Sequence, residues 1–219
     1  MAFRYWTLQP EYLFTRSPVI PVIVLQKLEH VLPLAKALIA GGLNVLEITL
    51  RTEIALEAIQ LLTEEMPEAL IGAGTVKTVH ELEQCAKAGA RFALSPGSTE
   101  ALLEAGAEIE IPYIPGVASA SELMKGIDSG YRFFKFFPAE AAGGIKALNA
   151  MAGPFPEVSF CPTGGISKDN FLDYLRLPNV PCVGGSWVLP DEFIQQNNWP
   201  VISDLCLNTV KLAKETYFK

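Results

Sequence analysis

Arg132-Phe133-Phe134-Lys135-Phe136-Phe137-Pro138-Ala139 places one ammonium-bearing side chain in the middle of an aromatic run. Phenylalanines on both sides of the lysine predict a strand buried on both faces, as strands of parallel sheets are. Loss of water disfavours a charged amine, and an amine that is neutral part of the time can attack a carbonyl to form a Schiff base. The alternative is a Lys135 near a strand end, reaching solvent along its alkyl stem. The surrounding chain has to decide between them.

Similar apolar, β-branched runs recur at residues 19–25, 44–50, 69–75, 91–95, 111–114, 132–137, 158–163 and 181–185. Between them, residues 29–40, 53–65, 78–88, 119–129 and 168–175 carry apolar side chains at three- and four-residue intervals and predict helices. Thr78-x-x-Glu81 and Ser119-x-x-Glu122 are capping-box patterns, and Gly41, Gly89, Gly106 and Gly130 are expected to close helices. Strand starts fall about 20 to 26 residues apart, the length of one compact strand-turn-helix unit. Eight such units predict a (β/α)8 TIM barrel over residues 18–219, preceded by a lead-in of residues 1–17 that could form a short helix beneath it. An open doubly wound sheet shares the alternation, but it usually has a glycine-rich fingerprint after its first strand. Here that strand runs into Leu25-Gln26-Lys27-Leu28, with no glycine.

Composition narrows the function. The chain has 219 residues, half of them apolar and 19% charged, enough for one full core. A net charge of -7 disfavours a nucleic-acid or anionic-membrane partner. No apolar run approaches the roughly 18 to 20 residues of a membrane helix, and the N-terminus shows no cleavable apolar segment, so a cytoplasmic protein is expected. Cys85, Cys161, Cys182 and Cys206 are widely spaced and read as buried thiols. His30 and His80 each stand near a helix start without a second histidine at ligand spacing, so no metal site is expected.

In a barrel of this kind, functional groups gather at the carboxyl ends of the strands. Those ends are rich in glycine and proline: Gly72-Ala73-Gly74-Thr75, Ser95-Pro96-Gly97, Ile114-Pro115-Gly116, Phe137-Pro138-Ala139-Glu140, Thr163-Gly164-Gly165 and Gly184-Gly185-Ser186. On the second strand, alternation puts Val45, Glu47, Thr49 and Arg51 on one face. If that face is the interior, Glu47 can meet Lys135, either as catalytic partner or as a structural ion pair. The glycine-rich ends of the last two strands fit a phosphate held by backbone N–H groups, although tight turns alone also need glycine.

Taken in order, Glu47-Ile48-Thr49-Leu50-Arg51-Thr52, Gly72-Ala73-Gly74-Thr75, Ser95-Pro96-Gly97, Phe134-Lys135-Phe136-Phe137-Pro138-Ala139-Glu140, Cys161-Pro162-Thr163-Gly164-Gly165-Ile166-Ser167 and Gly184-Gly185-Ser186-Trp187 resemble the 2-keto-3-deoxy-6-phosphogluconate (KDPG) and 4-hydroxy-2-oxoglutarate aldolases. The likeness covers about residues 18–186. It implies a metal-independent class I aldolase without cofactor, with Lys135 as Schiff-base residue and Glu47 as proton shuttle. It implies further that Arg51 and Thr75 bind the carboxylate of the pyruvate portion, that Phe137 and Pro96 wall it, and that Thr163 stands beside the aldehyde end. Gly164, Gly165, Gly185 and Ser186 would hold the phosphate, and the assembly would be a homotrimer. The expected substrates are phosphorylated 2-keto-3-deoxy sugar acids, cleaved to pyruvate and an aldehyde. The galactonate-derived epimer, a phosphosugar isomerase with Glu47 as base, and a barrel that only binds a phosphorylated metabolite are the alternatives.

Overall fold

Helices and strands mostly alternate along the described residues, 3–217, of a computed structural model. Helix α1 (Pro10–Arg16) leads into β1 (Val19–Ile23), and a 3-10 turn at Leu28–His30 opens α2 (Val31–Ala40). There follow β2 (Val45–Thr49), α3 (Ala55–Glu65), β3 (Leu70–Gly74), α4 (Val79–Lys87), β4 (Ala93–Leu94) and α5 (Glu100–Glu108). The second half runs β5 (Tyr113–Ile114), β6 (Gly116–Val117), α6 (Ala120–Asp128), β7 (Phe133–Phe136), α7 (Gly144–Ala152) and β8 (Ser159–Pro162). It closes with α8 (Phe171–Leu175), β9 (Val183–Gly185), α9 (Asp191–Gln195) and α10 (Trp199–Tyr217).

Every strand pairing is parallel. A six-stranded sheet has the order β5-β4-β3-β2-β1-β9, and a three-stranded sheet the order β6-β7-β8. The fold is therefore parallel α/β. The eight runs anticipated from the sequence all hold strands, but they do not form one unbroken ring. The fifth, residues 111–114, holds only β5; Pro115, which has no N–H to give a ladder, follows it, and β6 lies beyond the anticipated run, so that β5 pairs with β4 and β6 with β7. Beyond β8, an isolated parallel bridge joins Thr163 to Gly184.

Alternation sorts the side chains into two cores. Leu46, Ile48 and Ile71 face outward and pack with Leu38, Ile59 and Leu62 of the helices. Ile20, Val45, Leu70, Phe92, Leu94, Ile114, Cys161 and Cys182 face one another in a separate inner cluster, drawn from strands of both sheets. Leu13 and Phe14 of α1 complete that cluster, and the Phe14 and Phe133 rings meet edge-on at 5.3 Å. The same alternation carries Glu47, two residues beyond Val45, and Lys135, two beyond Phe133, onto the inner side.

Both anticipated capping boxes are formed, at Thr78 with Glu81 and at Ser119 with Glu122. Gly89 (φ +87°) and Gly130 (φ +96°) follow the ends of α4 and α6 in the left-handed region that favours glycine. Gly106 corrects the expectation that it ends a helix: it lies inside α5, where an added Cβ would overlap the Tyr113 ring. Among the described residues, no helix is long and apolar enough to cross a membrane.

Candidate active site

Lys135 Nζ donates a hydrogen bond to Glu47 Oε1 at 2.8 Å, with 5% of the lysine side chain and 1% of the glutamate side chain exposed. Such a pair is worth little as a stabilising feature, because removing two charges from water offsets most of their attraction. The strands explain the meeting. Glu47 lies opposite Val22 of β1 and Gly72 of β3, and Lys135 lies opposite Gly116 of β6 and Cys161 of β8. Each residue is thus central in its own sheet, and the two point at each other across the inner space.

Small residues make room for them. A Cβ at Gly74 would overlap the Glu47 carboxylate, so this glycine sets the space in which Glu47 lies. Thr49, fully buried, donates its hydroxyl to the Ile23 carbonyl at 2.8 Å and ties the end of β2 to β1. The Leu50 N–H donates to the Gly74 carbonyl at 2.9 Å, which pins the turn carrying Arg51 to the one carrying Thr75. Arg51 is exposed on that turn, and Thr75 is half-buried with φ +63°, a conformation costly for a branched residue.

Phe137 stands beside the amine, its ring centroid 5.8 Å from Lys135 Nζ. Pro96 reaches the same neighbourhood through Gly116, at which an added Cβ would overlap the Pro96 backbone. A buried hydroxyl network fixes that approach. Ser95 Oγ and Tyr113 Oη are 2.7 Å apart, and the Gly116 N–H donates to Ser95 Oγ at 3.1 Å. The Lys135 N–H donates in turn to the Pro115 carbonyl at 3.0 Å.

Thr163, buried, donates its N–H to the Phe136 carbonyl, and its hydroxyl occupies the space beside Gly184 that a Cβ there would need. Gly164 (φ +100°) and Gly165 (φ +80°) continue the turn, Gly164 within 3.3 Å of where its Cβ would meet the Phe137 ring. Gly185 ends β9 beneath the Trp187 ring, and Ser186 is exposed immediately after it. Lys135, Glu47, Phe137, Thr75, Pro96, Thr163 and the glycines therefore share one end of the strands. Arg51 and Ser186 lie on its exposed rim. Gly74, Gly116 and Ser95 stood in the strand-end motifs without a role of their own, and Tyr113 was not singled out, since tight packing gives such residues no local signature.

The sequence profile of the KDPG and KHG aldolases matches residues 11–205. The chain belongs to the KDPG and KHG aldolase family. It is 54% identical over 207 residues to the 2-dehydro-3-deoxy-phosphogluconate aldolase of Pseudoalteromonas atlantica, covering 94% of this chain and 96% of that one. It is 54% identical over 211 residues to the KHG/KDPG aldolase of Escherichia coli, covering 96% and 99%. Among solved structures, the KDPG aldolase of Legionella pneumophila, with pyruvate captured at low pH as a covalent carbinolamine, superposes with a TM-score of 0.92 at 57% identity. That match covers 94% of this chain and all of the other. A Zymomonas mobilis KDPG aldolase structure with 3-phosphoglycerate gives a TM-score of 0.87 at 44% identity, covering 91% and 94%. This KDPG/KHG aldolase is a carbon–carbon lyase that works through a Schiff base, a chemistry that requires no metal.

Proposed function

We propose that Lys135 is the Schiff-base residue in cleavage of 2-dehydro-3-deoxy-6-phosphogluconate to pyruvate and glyceraldehyde 3-phosphate, with Glu47 moving the protons. The buried 2.8 Å contact between the two groups carries this assignment. Lys135 Nζ, as free amine, attacks C2 of the keto acid to give a carbinolamine. Glu47 accepts a proton from the nitrogen and returns one to the departing hydroxyl, which leaves as water and yields a protonated imine. The cationic imine draws in the C3–C4 bonding pair while the C4 hydroxyl gives its proton to a base. C4 becomes the aldehyde carbon of glyceraldehyde 3-phosphate, and an enamine remains on Lys135. Protonation at C3 and addition of water then release pyruvate and restore the amine. The same steps convert 4-hydroxy-2-oxoglutarate to pyruvate and glyoxylate.

Around this centre, Arg51 offers the substrate carboxylate a planar pair of donors, with the Thr75 hydroxyl beside it. Phe137 and Pro96 wall the pyruvate carbons, Thr163 faces the aldehyde end, and Gly164, Gly165, Gly185 and Ser186 receive the phosphate. The pinned Arg51 and Thr75 turns, and the contacts joining Thr163 to Gly184, support this arrangement. The scaffold is a closed eight-unit barrel. The passage through Pro115 links the two sheets on one side, the Thr163–Gly184 bridge on the other, and the inner cluster draws on strands of both.

Borohydride reduction in the presence of pyruvate tests the assignment. The expected result is inactivation and a reduced pyruvate adduct on the Lys135 peptide by mass spectrometry, absent in Lys135→Ala. No adduct, or an adduct on another lysine, would remove Lys135 from its role.

A further inference from the structure

The turn Thr163-Gly164-Gly165 is held from behind at three consecutive carbonyls. The Ala139 N–H donates to the Thr163 carbonyl at 2.8 Å, and the Glu140 N–H to the Gly164 carbonyl at 3.1 Å. Asn170 Nδ2 donates to the Gly165 carbonyl at 3.1 Å, while its Oδ1 accepts from the Ser167 N–H at 2.8 Å. In a planar trans peptide the N–H points opposite to the C=O. Anchoring these carbonyls therefore turns the N–H groups of Gly164, Gly165 and Ile166 away from the anchors, toward the other side of the turn. Two successive residues of positive φ, Gly164 and Gly165, curve that row into a concavity suited to an anion.

Glu140 is part of the backing. Its side chain fills the space that a Cβ on Gly165 would need, and Tyr174 from α8 donates its hydroxyl to Glu140 Oε1. Burial, and then the bond to Glu140 and its charge, push the Tyr174 hydroxyl upward from its ordinary value, so it remains a donor at neutral pH. A carboxylate near an anion repels it, so where Glu140 is held matters, and the Tyr174 bond fixes its position behind the turn.

We propose that Asn170 and Tyr174 are positioning residues that set preference for phosphorylated over unphosphorylated substrates, by fixing the Thr163-Gly164-Gly165 turn with its amides presented. This rests on the phosphate assignment made above. Neither residue belongs to the lysine–glutamate chemistry, so loss of either should spare everything that does not involve phosphate.

The test is aldol addition of pyruvate to glyceraldehyde 3-phosphate and to glyceraldehyde, with borohydride trapping of pyruvate as a check on fold and amine. In Asn170→Ala, kcat/KM for the phosphorylated aldehyde should fall about tenfold, mainly through KM, the scale of one lost hydrogen bond in a positioned site. Tyr174→Phe should shift the ratio in the same direction. Activity with glyceraldehyde and the yield of trapped pyruvate should hold. If the parent enzyme prefers the phosphorylated aldehyde and both variants keep its full preference, or lose activity equally with both aldehydes, the clamp is overturned. If the parent shows no such preference, the phosphate assignment itself fails and takes the clamp with it.

Discussion

Gly74 shows how little freedom the Lys135–Glu47 pair has. Its missing side chain is the space occupied by the Glu47 carboxylate. Gly74→Ala should displace that carboxylate and lower kcat by about a hundredfold, the scale of a misplacement near 1 Å. Circular dichroism should stay near the parent's while the pyruvate adduct forms slowly, and an active Gly74→Ala would show that Glu47 has slack. Glu47→Gln removes the proposed proton carrier while leaving a side chain of similar shape. It should still form the pyruvate adduct slowly, with turnover down by about 10²- to 10⁴-fold, the usual range for general acid–base catalysis. Near-normal turnover in that variant would mean that another group moves the protons. Glu47 and Lys135 come together from positions 88 apart in sequence, so their contact is tertiary information. Each was nevertheless conspicuous in the sequence as a charge inside an apolar run.

At the level of elements, the helix starts are the best-specified local features. Thr78 accepts the Glu81 N–H at 3.1 Å, while Glu81 Oε2 accepts the Thr78 N–H at 3.1 Å. This reciprocal pattern needs only residues three apart, so it can be recognised from four letters of sequence. Thr78→Ala should cost about 1 kcal/mol in urea denaturation and leave kcat unchanged. A parent-like midpoint would show that the cap contributes nothing in this fold. Gly106 teaches the opposite lesson. Its place inside α5 is dictated by the Tyr113 ring, and no local rule distinguishes such a glycine from one that ends a helix. Pro115 is intermediate: it stood in a strand-end motif, but nothing local showed that β5 and β6 on either side of it would join different neighbours.

For the whole molecule, the four cysteines are buried free thiols. Burial, aided by the nearby charge of Glu81, pushes the Cys85 thiol from 9.0 up to about 12, and burial alone takes Cys206 to about 12. Cys182 is also raised, first by burial and then by its hydrogen bond to Cys161. Folded Cys85, Cys182 and Cys206 therefore keep protons that the unfolded chain releases. Their contribution is full below about pH 9 and is lost as pH rises toward 12. The urea midpoint should fall between pH 8.5 and 10.5, and less steeply in Cys85→Ala. An equal slope in that variant would remove the thiol from the account. At pH 8 the native thiols should react with a disulfide reagent only at the rate of unfolding.

Alternating apolar patterns and caps were enough to specify parallel α/β units and their order, because those signals depend on neighbours a few residues apart, and the ordered strand-end motifs carried the resemblance to the family. They also singled out Lys135 and Glu47, since a charge in an apolar strand is anomalous without reference to the fold. Tertiary structure alone decided that β5 and β6 belong to separate sheets, that α1 fills the inner cluster, and that Gly74 and Gly116 clear space at the site. It also brought Asn170 and Tyr174 behind the Gly164-Gly165 turn. Packing and carbonyl anchoring join residues distant in the chain, and such contacts leave no periodicity to read.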